Sequence, residues 1–343
     1  MAEATGPPSF KGGIKEELKR RIEASTKVHR LDLSQMGLTE VPSVVSTLLD
    51  LKILWIQDND ISELPEFVGA LPQLSQIRCY NNRITEIPKS LGNLLSLQVV
   101  WAHNNQISVI PRELGNILSL TVLSFEGNSA ISRLPKRLGL LTNLRELHLD
   151  VPNFTSPPKF ILQKPATQVI SYLGRIYKCK RTGTLDLRGF GMPFIPPEAL
   201  KYSNITELLI SDNNLSELPE EIAGFSDLTK LYVSNNKLKV LPEFVCNLRD
   251  LEDLRFSVNK IDVIPDGIGQ LKRLKVSYFP PLFQPNHFLF FLPLLAVTHL
   301  IHRPSTDSAL CWQPHHVAAS HNGGTRLVGG SGCGRQRHPV PPS

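Results

Sequence analysis

The stretch LKILWIQDNDISELPEFVGALPQ, residues 51–73, runs without a gap into LSQIRCYNNRITEIPKSLGNLLS, residues 74–96. With Leu51 as position 1, apolar residues fall at Leu51, Leu54, Ile56, Ile61, Leu64, Val68 and Leu71. Asn59 lies between two of them and Pro65 follows Leu64. The second stretch repeats the set as Leu74, Ile77, Cys79, Ile84, Ile87, Leu91 and Leu94, around Asn82 and Pro88. A unit this short has too little volume to enclose its own apolar face. It must lean on its neighbours, so the chain is expected to be a solenoid whose working part is a surface.

Ten such units begin at Val28, Leu51, Leu74, Leu97, Leu120, Leu144, Thr182, Ile205, Leu228 and Leu251. The unit at Leu120 carries one extra residue near Ser129. The unit at Leu144 keeps register through Phe154, Pro158 and Ile161, and a segment of about nineteen residues then intervenes. In it Val169, Ile170, Leu173 and Ile176 suit a short amphipathic helix. Ahead of the array, residues 14–26 predict a helix. Ile14, Leu18 and Ile22 form one stripe, and Glu16/Arg20 and Glu17/Arg21 stand at i,i+4 outside it. A terminal unit needs a cap with a polar outer face, and this helix is the natural one. The expected divisions are 1–27, tail and capping helix; 28–161, first repeat block; 162–181, inserted segment; 182–275, second repeat block; and 276–343, a tail outside the pattern.

Within a unit the first half alternates apolar and polar residues, the signature of a strand. Successive strands are expected to pair in parallel into one long sheet. The asparagine after each strand recurs at Asn59, Asn82, Asn105, Asn128, Asn213, Asn236 and Asn259. Its amide is expected to pair buried backbone groups that no strand partner reaches. It is missing at Met36, Pro152 and Phe190. The first is at the edge, and the other two flank the inserted segment, which makes that junction the expected soft point. Proline recurs at 42, 65, 88, 111, 135, 158, 196, 219, 242 and 265 and should confine convex-side helix to about a turn.

The repeat LxxLxLxxNxLxxLPxxLxxLxx resembles the leucine-rich repeat family. Its length, its "LP" and its Leu91-Gly92-Asn93-Leu94 resemble the intracellular, Ras-group type, and the run from Pro157-Pro158 to Tyr172-Leu173 is similar to a segment that breaks repeat blocks in such proteins. Pro165-Ala166 stands where those often have glycine. The likeness covers about 250 residues. It implies an α/β leucine-rich repeat solenoid, or horseshoe, with a parallel concave sheet and short helices or turns on the convex side. It also implies a signalling partner such as a small GTPase, a kinase or a phosphatase, and in plants an immune or developmental role. It says little about function beyond that, because one fold hosts many.

Composition narrows the classes. A net charge of +6 on 343 residues is mild and lacks the clustered basic stripe of a nucleic-acid binder. The five cysteines form no CxxC pair, which suits a reducing compartment. Cys79 occupies the position of Leu33, Ile56 and Val233 and reads as a small buried apolar residue. The N-terminus lacks an apolar secretory core, so a cytoplasmic, monomeric protein is expected, with a nuclear location as the alternative. From Val276 the composition changes, with no Lys or Glu and seven of the ten histidines. The run Phe288 to Ile301, interrupted by Pro293, is short for a membrane span. The spacing of Cys311, His315, His316, His321 and Cys333 matches no zinc pattern, so no metal or other cofactor is expected. Val276-Ser277 is what an in-frame splice donor GTAAGT would encode, so the tail is expected to be read-through of an unspliced intron or another truncated product.

Positions 3, 5, 7 and 8 of each strand should face the concave side. Position 5 reads Asp32, Trp55, Arg78, Trp101, Ser124, His148, Asp186, Leu209, Tyr232 and Arg255. Parallel neighbours lie ~4.8 Å apart, so Arg78 is expected to sit between the indoles of Trp55 and Trp101. Position 7 adds Gln57, Tyr80 and His103, and position 3 adds Ile53 and Val99. Aromatic and cationic residues facing water mark an interaction site, and Trp55, Arg78, Tyr80, Trp101 and His103 are the candidate partner-binding residues. The bland alternative is that the tryptophans merely cover the sheet. Two of the chain's three tryptophans in one column, two units apart, favour binding. The second block is more polar and of mixed sign, at Asp186, Arg188, Glu207, Asp212, Lys230, Tyr232, Asp253 and Arg255. That suits steering and specificity, or simply a solvated face. No phosphate loop, nucleophile elbow or HExxH occurs, so a non-enzymatic scaffold or adaptor is expected. The competing reading is the substrate-recognition arm of an enzyme complex such as a ubiquitin ligase.

Overall fold

The computed structural model describes residues 13–278. Eight of the ten units repeat one course: a three-residue strand, a turn, and a single 3-10 turn introduced by the proline; the sixth has a short α-helix after Pro158 and the seventh only a turn after Pro196. β1 (Arg30–Asp32), β2 (Ile53–Trp55), β3 (Gln76–Arg78), β4 (Val99–Trp101), β5 (Val122–Ser124) and β6 (Glu146–His148) form one parallel sheet. β7 (Thr184–Asp186), β8 (Glu207–Leu209), β9 (Lys230–Tyr232), β10 (Asp253–Arg255) and β11 (Val276–Tyr278) form another. Pairing is in strict register, with Trp55 opposite Arg78 and Arg78 opposite Trp101. In β1–β5 and β7–β10 the central residue points inward: Leu54, Ile77 and Leu123 are fully buried and Val100 nearly so, while Leu147 of β6 is partly buried. Each large aliphatic side chain so buried contributes roughly 1.5–3 kcal/mol. No unit closes this core alone, because each layer covers the next.

The expected single sheet is therefore two. The physical reason is the segment after the sixth unit. α2 (Lys159–Leu162) ends that unit with Ile161 in the core, and α3 (Ala166–Thr182) then packs against the 3-10 turn Lys136–Leu140 and against β7, with no strand among the described residues pairing on the far side of β6. α3 is longer than the short helix expected. It buries Val169, Ile170, Tyr172, Leu173, Ile176 and Cys179, and it runs through Thr182, the first residue of the seventh unit. It comes so close to the preceding 3-10 turn that a Cβ on Gly139 would lie 2.0 Å from the Gly174 nitrogen. Gly183 ends it in the left-handed conformation at φ 71°, the usual glycine stop. Where the interior asparagine is missing, other bonds tie the junction: Lys136 Nζ donates to Tyr202 Oη at 2.8 Å, and Tyr172 Oη donates to Glu198 Oε1 at 3.0 Å.

α1 (Gly13–Val28) caps the first block. Leu18 and Ile22 pack partly against the core, while Ile14 is exposed. Arg20 and Arg21 both pair with Glu17, so Glu16 is not the partner of Arg20 that its spacing suggested. Arg21 Nη1 donates to the carbonyls of Asp32 (2.9 Å) and Ser34 (3.3 Å) at the end of β1. α3 meets β7 in the same way: Arg175 Nη1 donates to the carbonyls of Asp186 (3.2 Å) and Arg188 (3.4 Å), at the same separations in sequence. Each sheet thus begins on its own helix. At the other end β11 pairs with β10, so the second sheet continues three residues past the boundary expected at 275. The apolar run Phe288 to Ile301, the histidine-rich segment and the rest of the tail lie outside the described residues.

All seven asparagines do what their position requires. Asn105 is representative: Nδ2 donates to the carbonyls of Cys79, Ala102 and His103, and Oδ1 accepts from the Ile84 amide at 3.0 Å. Two of those groups belong to the preceding unit, so the side chain fastens one unit to the next. The pattern recurs at Asn59, Asn82, Asn128, Asn213, Asn236 and Asn259. Asn105→Ala is expected to lower unfolding stability by about 3–5 kcal/mol, because it leaves several buried backbone groups unpaired. Chemical denaturation of the two proteins checks this.

A second column was not anticipated. The residue just before each asparagine has positive φ, as at Asp58, Asn81, Asn104, Gly127, Asp212 and Asn235. Asp, Asn and Gly tolerate that conformation. The last member is Val258 at φ 54°, a β-branched residue in a place that suits it poorly. Val258→Asn is expected to raise stability by about 1 kcal/mol, read as a higher Tm.

Candidate functional site

The concave side of the first sheet carries a column of stacked planar groups. β2, β3 and β4 hold positions 5 in register, and their flanking residues are buried, which turns the side chains of Trp55, Arg78 and Trp101 outward. The Arg78 guanidinium carbon lies 4.4 Å from the Trp55 ring centroid and 4.4 Å from that of Trp101. This is the sandwich expected from the strand spacing, and each such contact contributes ~0.5–2 kcal/mol. Two features extend it beyond expectation. Arg30 of β1 covers the other face of Trp55 at 4.9 Å. Gln76, its amide turned with the oxygen toward the guanidinium, accepts from Arg78 Nε at 2.8 Å and Nη2 at 3.1 Å. Trp55, Arg78 and Trp101 are each half-buried, shielded by one another rather than by the core.

The neighbouring column joins this one. Tyr80 and His103 stack face to face at 4.3 Å, their planes 8° apart, and Tyr80 also meets Trp101 at 6.4 Å. All five residues expected to form the partner-binding group are thus contiguous. Burial holds the His103 pKa below the usual histidine value, with Glu126 and Asp58 pulling the other way and His148 adding to the depression. Folding therefore favours the neutral ring. As pH falls through the ordinary histidine value the unfolded chain takes up its proton first, so stability declines there and levels off once His103 itself is charged. A proton NMR titration should place the His103 midpoint below the ordinary histidine value.

Beside it, Asn81 Nδ2 donates to Asp58 Oδ1 at 2.7 Å and Asn104 Nδ2 to Asn81 Oδ1 at 2.8 Å, forming a rail along the edge of the aromatic columns. The doublets Asn81-Asn82 and Asn104-Asn105 are the sequence signal for it.

The second sheet differs in kind. Its mixed charges are paired within or between neighbouring strands. Arg188 forks onto Asp186 at 2.8 and 2.9 Å, Lys230 meets Glu207 at 2.6 Å, and Arg255 meets Asp253 at 2.9 Å while lying 4.2 Å over Tyr232. Burial and the hydrogen bond to Asp253 push the Tyr232 hydroxyl up to about 12. A shallow depression of about 330 Å³ lies here, lined by Arg188, Ser211, Asp212, Tyr232, Ser234, Arg255 and Ser257. Acid–base pairs two residues apart, as in Asp186/Arg188 at the end of β7 and Asp253/Arg255 in β10, could have announced this pairing.

Among the described residues no group of His, Cys, Asp and Glu is arranged to hold a metal ion, and no helix is long and apolar enough to cross a membrane. Cys79, Cys179 and Cys246 are buried free thiols, and burial pushes that of Cys79 up to about 12, in keeping with its packing role.

The leucine-rich repeat family model matches residues 204–225 and 227–248. No curated protein sequence matches the chain. Among solved structures, the functional domain of InlJ from Listeria monocytogenes, which includes a cysteine ladder, is 19% identical; the match covers 74% of this chain and 48% of that one, with a TM-score of 0.35. The plant peptide hormone receptor RGFR1, solved in complex with RGF2, is 21% identical over 74% of this chain and 47% of that one, at a TM-score of 0.37. An internalin (inlF) of Listeria monocytogenes is 15% identical over 78% of this chain and 94% of that one, at 0.32. The chain spans about half the length of the first two. Two units match the family's repeat, and seven of the ten share one strand, asparagine and proline course; the fold is an α/β leucine-rich repeat solenoid.

Proposed function

We propose that the chain is a non-enzymatic interaction scaffold that binds another protein on the concave face of its first block. Trp55, Arg78, Tyr80, Trp101 and His103 are the residues that carry the contact. The supporting observation is the planar stack itself: aromatic and cationic groups of the types that dominate binding energy, collected on a face the core does not use. Solenoids present such concave surfaces to their partners.

The role we assign is signal transduction, with a small GTPase, a kinase or a phosphatase as partner. That assignment rests on the likeness of the repeat to Ras-group repeats. A cytoplasmic location is proposed on the three buried free thiols, which suit a reducing compartment. The second block, whose charges are internally paired, is read as the orienting half of the surface.

Affinity capture with the chain and with a Trp55→Ala/Trp101→Ala double variant tests the site. The variant is expected to lose the captured partner while its circular dichroism spectrum stays that of the parent. Retrieval of the same partner by both proteins would place the contact elsewhere.

A further inference from the structure

The cations of the two concave faces are balanced in different ways. On the second sheet each meets a carboxylate: Arg188 meets Asp186, Lys230 meets Glu207 and Arg255 meets Asp253. On the first sheet neither Arg30 nor Arg78 has a carboxylate within ion-pair distance among the described residues. They touch indole faces and, for Arg78, one neutral amide. The carboxylates at the rim of that face are engaged elsewhere: Asp32 accepts from Ser34 and faces Arg21, and Asp58 accepts from Asn81. A ring attracts a cation without cancelling its charge. The aromatic column therefore carries positive charge that the fold leaves unneutralised.

The donors of Arg78 show where that charge is available. A guanidinium has five N–H donors in a planar fork. Gln76 accepts from Nε and from Nη2, along one side of the fork. Nη1 bonds to nothing. The buried side-chain atoms without a partner among the described residues are Trp55 Nε1, Gln57 Oε1 and Arg137 Nε; Nη1 of Arg78 is not one of them, so it reaches solvent. The free end of the fork, Nη1 with the second hydrogen of Nη2, has the shape that receives both oxygens of a carboxylate. Two indoles and Gln76 already hold the group, so little side-chain freedom is left to lose on binding.

We propose that the occupant of this face is an acidic segment of the partner protein, with one carboxylate end-on against Arg78 and a second against Arg30. The inference rests on the reading that a partner binds here, and it adds the charge of that partner. Carboxylates fit better than a phosphate group. Arg30 and Arg78 cover opposite faces of one indole, on strands two apart, so they stand roughly 9.6 Å from each other by strand spacing. One phosphate does not span that distance, whereas each guanidinium matches the single charge of one side-chain carboxylate.

The test uses the full chain and peptides selected on it from a displayed random library. Gln76→Glu keeps the acceptor and the stack and supplies the negative charge from within, as Asp253 does for Arg255. Arg78→Gln removes the positive charge instead. Selected peptides are expected to carry Asp or Glu at two or more positions. Each variant is expected to weaken them about tenfold, and so is replacement of their Asp and Glu by Asn and Gln. Binding to the parent is also expected to weaken as salt rises from about 50 to about 200 mM, and binding to Gln76→Glu to change little. Peptides without acidic residues, or acidic peptides that the parent and both charge variants hold equally, overturn the inference. So does a library that yields no binder at this face, or a phosphoserine peptide held more tightly than its glutamate counterpart. Peptides kept by both charge variants but lost by the Trp55→Ala/Trp101→Ala variant overturn it while leaving the partner proposal standing. Peptides indifferent to all three variants overturn both.

Discussion

The side-chain amide at the turn after each strand is the interaction on which the array depends. A strand of three residues satisfies few backbone groups, and the chain leaving it descends directly into the core. Carbonyls there, such as those of Cys79 and Ala102, have no strand partner within reach. One asparagine answers several of them at once and borrows one carbonyl and one amide from the unit before. Apolar burial supplies most of the driving force for stacking. The amide fixes the register in which it happens, and register is what brings Trp55, Arg78 and Trp101 into line.

The same logic explains where the array stops and restarts. Pro152 and Phe190 offer no amide, and between them the chain changes to helix. α3 then begins a second sheet by the device α1 uses for the first: a helix whose arginine donates to carbonyls at the end of the adjoining strand. Gly139 and Gly174 let that helix lie close on the first block, so the core continues where the sheet does not. Two concave faces follow, each begun by its own helix. One displays stacked aromatic and cationic groups; the other binds its charges to each other.

Much of this was legible in the sequence because it repeats. The inward Leu and Ile positions, the proline turns, the seven asparagines and the place of Arg78 between two indoles follow from counting along one unit and multiplying by strand spacing. What escaped depends on features that occur once. The break into two sheets turns on Gly139 meeting Gly174, residues far apart in sequence. The apolar residues of α3 read as one amphipathic stripe, whereas the helix buries a wider face between its neighbours. The Tyr80–His103 stack needs rotamers as well as positions, and the orphaned atoms of Trp55 and Gln57 need a complete hydrogen-bond account. The parallel between Arg21 and Arg175 was available from spacing alone, since each stands eleven residues before the strand-ending Asp32 or Asp186.

The dependence of stacking on the interior amide is open to a direct reading by amide hydrogen exchange. The backbone N–H groups of Met36, Ile61, Ile84, Ile107, Met192, Leu215 and Leu238 each donate to an asparagine of the following unit, and none lies in a strand or helix. If the amides bind the units together, these seven loop positions exchange as slowly as the strand amides of their own block, opening only when the stack opens. Exchange at the rate of exposed loops, with the strands still protected, would mean that the units stack without them and that the register has another cause.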